Sequence, residues 1–75
     1  MASITILIET PHCGRLLAAS SAREAALKAE SVIATIARAS LPVRVSVECS
    51  NPEIADRLVN YLADVQMERL LAEAA

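Results

Sequence analysis

Two short runs of this chain repeat every second residue, a period that no helix can satisfy. The segment from Ser3 to Thr10 sets Ile4, Ile6 and Ile8 against Thr5, Leu7 and Glu9. Val43, Val45, Val47 and Cys49 alternate in the same way with Arg44, Ser46, Glu48 and Ser50. Successive side chains of a strand point to opposite faces, so each run offers one face to a core and the other to water. Pro42 has no amide proton and suits the first residue of the second strand.

Between these runs the punctuation is sparse but readable. Pro11-His12-Cys13-Gly14 suits a four-residue hairpin loop, with Pro presetting φ and Gly taking a left-handed position at the end. A returning strand over Arg15 to Ala19 then places Leu17 opposite Ile8 and Ala19 opposite Ile6, on the apolar face of the first strand. The rival for this segment is a helix beginning near Gly14, because Leu16, Leu17, Ala18 and Ala19 are also good helix formers. Ser21-Ala22-Arg23-Glu24 is a capping box. It opens a helix to about Ala39, with an inner stripe of Ala22, Ala25, Ala26, Ala29, Val32, Ile33 and Ile36. Asn51-Pro52-Glu53 reads as cap, first-turn proline and first-turn acid of a second helix that extends to the terminus.

The expected fold is therefore an α+β two-layer sandwich, ββαβα, in one domain over residues 1–75. Its three-stranded sheet has order 2-1-3 and two helices cover one face. A βαβα unit with a parallel strand pair is the alternative. The third strand forms an edge whose outward Arg44, Ser46 and Glu48 discourage random pairing. They leave open a two-fold strand dimer with Arg44 near Glu48 of its mate.

Composition sets the size of the core. Fifteen of the 75 residues are Ala and Tyr61 is the one aromatic, so Leu, Ile and Val must build the interior. A domain this short buries only about 60% of its unfolded surface, and self-association would help it. Residues 1–47 carry five bases against three acids, whereas residues 48–75 carry two against six. An acidic C-terminal third argues against direct nucleic acid binding, which calls for clustered Lys and Arg. No stretch is long enough to span a membrane or serve as a signal segment, which gives the expectation of a cytoplasmic protein with reduced thiols.

The second helix changes its apolar face part-way along. Ile54, Leu58, Tyr61, Leu62 and Val65 mark one stripe, which stops after Val65. At about 100° per residue, Val59, Ala63, Met67, Leu70 and Ala74 fall on the opposite side with Leu71 beside them, while Glu68 and Arg69 occupy the old inner face. Two apolar faces call for two neighbours. The chain is thus expected to be a non-enzymatic interaction module: a small acidic adaptor, regulator or inhibitor, of the kind phages and mobile elements carry. Its partner interface is Val59, Ala63, Met67, Leu70, Leu71 and Ala74, and the partner is another protein or itself, as a homodimer.

Chemistry has one other address. His12 and Cys13, adjacent on a turn, can hold a thiolate beside an imidazolium or ligate a metal, and Cys49 would be needed to complete a set of soft ligands. A thiol-transfer or metal-binding protein is the alternative function. An antiparallel third strand puts Cys49 at the far end of the sheet, whereas a parallel pair brings both cysteines to one edge. The acids of the last helix have no His to join them, a glycine-rich phosphate loop is absent, and no cofactor is expected.

Overall fold

The computed structural model describes residues 3–74, apart from the side chains of Arg38, Glu73 and Ala74. The elements are β1 (Ile4–Glu9), β2 (Gly14–Ala19), α1 (Ala22–Thr35), a 3-10 turn (Arg38–Ser40), β3 (Arg44–Cys49) and α2 (Pro52–Ala74). The three strands form one sheet of order β2-β1-β3, and both pairings are antiparallel. The two-layer ββαβα sandwich is therefore the fold, and the parallel pair of the βαβα alternative does not occur among the described residues.

The isoleucines of β1 explain why the layers meet where they do. Ile4, Ile6 and Ile8 point to one face and are almost wholly buried with Ala25, Ala29 and Ile33 of α1 and Leu58 and Leu62 of α2. Alanine on α1 lets that helix lie close to the sheet, so the bulk of the core comes from β1, Ile33 and Leu62. Leu17, Val45, Val47 and Cys49 flank this centre on the same face. Tyr61 and Ala22, expected on the inner stripes, are instead exposed.

Three local expectations are corrected. The β1–β2 loop is tighter than four residues: the Thr10 N–H donates to the Cys13 C=O at 2.8 Å, and the Thr10 hydroxyl accepts the Cys13 N–H at 3.1 Å. Only Pro11 and His12 lie beyond that closing pair. The loss of two loop residues moves the register by two, so Leu17 faces Ile6 and Ala19 faces Ile4. An even shift keeps every side chain on its face, which is why the core survives the change. Gly14 accordingly sits in β2 opposite Glu9 without a positive φ. Finally, α1 ends at Thr35 rather than near Ala39. Ile36 is extended, and it and Leu41 fold back against the core as the chain returns to β3.

The first turn of α1 is held by the capping box. The Ser21 hydroxyl accepts the Glu24 N–H at 3.1 Å, and Glu24 Oε2 accepts the Ser20 N–H at 3.1 Å, one residue before the cap. The Ser20 hydroxyl adds a bond of 2.8 Å, and Lys28 lies 3.1 Å from the other carboxylate oxygen. The Ser20 N–H, followed by the Ser20 hydroxyl and Lys28, lowers the Glu24 pKa to about 2.

Candidate interaction surface

Helix α2 is fixed along three directions before any of its surface is left over. At its start, Asn51 Oδ1 accepts the N–H of Glu53 at 3.0 Å and of Ile54 at 3.4 Å. Towards α1, the Tyr61 hydroxyl donates to Glu30 at 2.6 Å, and Arg69 Nη1 donates to the Ile33 C=O at 2.6 Å. The bond to Glu30, partial burial and the nearby charges of Glu30 and Glu68 raise the Tyr61 pKa above its ordinary value. Arg69 places its charge at the C-terminal end of α1, where the helix dipole favours a cation. Towards β3, Gln66 is 4% exposed and its Oε1 accepts the Val43 N–H at 2.7 Å.

Gln66 and Arg69 show why the apolar stripe stops after Val65. The inner face of the helix does not end there. It continues as polar side chains that satisfy backbone groups of β3 and α1, a role a hydropathy pattern cannot display. A signal was present, since Gln66 lies four residues beyond Leu62 on the same line of the helix.

Of the residues expected to form the partner interface, Met67 and Leu71 stand out at 56% and 64% exposure. Ala63 is exposed, Val59 and Leu70 are half-buried, and the side chain of Ala74 lies outside the described part. Twenty-three residues make α2 about 35 Å long, whereas a six-residue strand spans about 20 Å. The last turns therefore reach past the sheet. A second apolar feature is a groove of about 280 Å³ between the helix starts, lined by Ala22, Ala26, Ile54, Arg57, Leu58 and Tyr61.

The thiol residues are not brought together. Cys13 and His12 sit exposed at the β1–β2 loop. Cys49 is half-buried opposite Ile4, at the other end of β1. Five strand steps separate Glu9, beside the loop, from Ile4, or about 17 Å along the sheet. Among the described residues, no three of His, Cys, Asp and Glu are placed to share a metal ion. No helix among them is long and apolar enough to cross a membrane.

No family model, curated protein or solved structure matches this chain.

Proposed function

We propose that this chain is a non-enzymatic protein–protein interaction module that works through the outward face of α2, in the manner of small adaptors, regulators and inhibitors. The observation that carries this reading is the exposure of Met67 and Leu71 on a helix whose opposite side is anchored by Gln66 and Arg69. Large apolar side chains on a fixed scaffold can bind without first losing backbone freedom, which lowers the entropic cost of association. The acids Asp56, Asp64 and Glu68 lie on the same helix and are exposed, which suits a partner with a basic rim. His12 and Cys13 lack a third ligand among the described residues, so the thiol or metal alternative has no comparable support.

A photo-reactive residue in place of Met67 tests the proposal. Cross-links to a second copy or to one defined chain, reduced by an added Leu71→Asp, are the expected result. Products confined to a single chain, at the level given by a probe at exposed Arg23, would overturn it.

A further inference from the structure

The two edges of the sheet are not equivalent. On β2, the outward C=O of Ala18 already accepts a hydrogen bond from Lys28 Nζ at 2.9 Å, and the lysine side chain lies over that edge. On β3, the Val43 N–H leaves the sheet towards Gln66, so position 43 points away from β1. The antiparallel pattern alternates, and Val45, Val47 and Cys49 therefore also aim their N–H and C=O groups outward. No described side chain bonds to these three.

We propose that β3 is a self-association edge: a second copy adds its own β3 antiparallel about a two-fold axis at Ser46, joining two three-stranded sheets into one. The second contact of that dimer rests on the proposed role of α2. With the axis at Ser46, Val45 faces Val47 of the second copy as a pair that exchanges two hydrogen bonds, twice over by symmetry. Arg44 then faces Glu48 of the second copy as a close pair, about 4.5 Å between Cα atoms, again twice. Moving the axis to residue 45 or 47 sets Arg44 against Ser46 or Ser50 instead and breaks both charge pairs. Glu9 lies on the other side of Arg44 within each sheet, so the guanidinium is flanked by acids.

The same axis accounts for the apolar stripe. Tyr61 and Arg69 mark the α1 side of α2 and Gln66 marks its β3 side. Turning further round the helix come Val59, Ala63 and Met67, past the open edge. Because Gln66 sits beside Val43 and Pro52 follows Cys49, Ser46 is level with Val59. Two copies joined at β3 therefore set the α2 helices side by side and antiparallel, with Val59 near its own copy and Ala63 and Met67 running along the first turns of the partner helix.

Three charge variants and two introduced cysteines test the pairing. Sedimentation equilibrium of the purified chain is expected to give a dimer whose dissociation constant rises about tenfold in Arg44→Glu and in Glu48→Arg, and returns in the double exchange. With Cys13→Ser and Cys49→Ala, Ser46→Cys is expected to oxidise to a covalent dimer, since the axis puts the residue within disulfide reach of its copy. Ala18→Cys on the β2 edge should stay monomeric. A wild-type chain that is monomeric at every concentration overturns the dimer, as does one indifferent to the charge variants whose Ser46→Cys form does not link. If position 67 still cross-links to a different protein, the α2 surface survives that failure. A Ser46→Cys dimer without cross-links from position 67 upholds the strand pairing and removes the α2 contact.

Discussion

The Gln66 amide lies almost out of water between α2 and the start of β3. Its Oε1 accepts the Val43 N–H at 2.7 Å and its Nε2 donates to the Leu62 C=O at 3.4 Å. The longer bond is the weaker one, so the value of the residue rests on what it does for Val43. Replacing it by an apolar side chain of similar size would keep the packing but leave a buried N–H without an acceptor. A lost hydrogen bond of this kind costs about 1–3 kcal/mol. Gln66→Leu should therefore lower the urea midpoint by that equivalent, and Gln66→Glu should recover part of the loss only where its carboxyl is protonated. The neutral acid can accept the Val43 N–H and donate to the Leu62 C=O, whereas the buried carboxylate cannot donate. A Gln66→Leu midpoint equal to that of wild type would mean that Val43 finds another acceptor.

At the scale of elements, the start of α1 ties stability to acid. Glu24 has a folded pKa of about 2 against an ordinary 4.5, because Ser20 and Lys28 bind its ionised form. A depressed value contributes stability that is fully present above about 4.5 and is lost as pH falls from there towards 2. Comparing thermal midpoints of wild type and Glu24→Gln across that window should show the two curves converging at low pH; parallel curves would exclude the linkage. The same capping box was legible in the sequence, as were β1, β3, the start of α2 and the sheet order, because each is written in side-chain period or cap chemistry. The end of α1 was not. Nothing between Ile36 and Ala39 is a glycine or proline, so the helical pattern runs on, and only the return of Ile36 and Leu41 to the core stops it. The loop length was hidden for a similar reason, since it depends on the Thr10 hydroxyl accepting the Cys13 N–H. For the candidate surface, the apolar residues of α2 and the edge position of β3 could be read from spacing and strand order. The Lys28 cover on the β2 edge and the outward aim of Val45, Val47 and Cys49 became visible only once Lys28 and Gln66 had found their partners.

For the whole molecule, the question is how a core this small holds two layers together. Among the described residues, five large side chains are fully buried, namely Ile4, Ile6, Ile8, Ile33 and Leu62, and of these five Leu62 alone comes from α2. Leu62 is thus the main apolar tie between that helix and the sheet, with Leu58 beside it. Truncating such a residue costs about 2–5 kcal/mol, of the same order as the whole stability of a small domain. A chain that folds alone would then be largely unfolded as Leu62→Ala at any concentration. A chain that folds as a pair gains stability by mass action, because the second copy binds only the native form. Circular dichroism of Leu62→Ala should therefore show helix content and thermal midpoint rising with protein concentration. Adding Arg44→Glu should remove most of that rise, since it weakens the pairing without touching the core. A midpoint independent of concentration in both variants would place all the stability of this protein within one chain and leave the β3 edge without a role in folding.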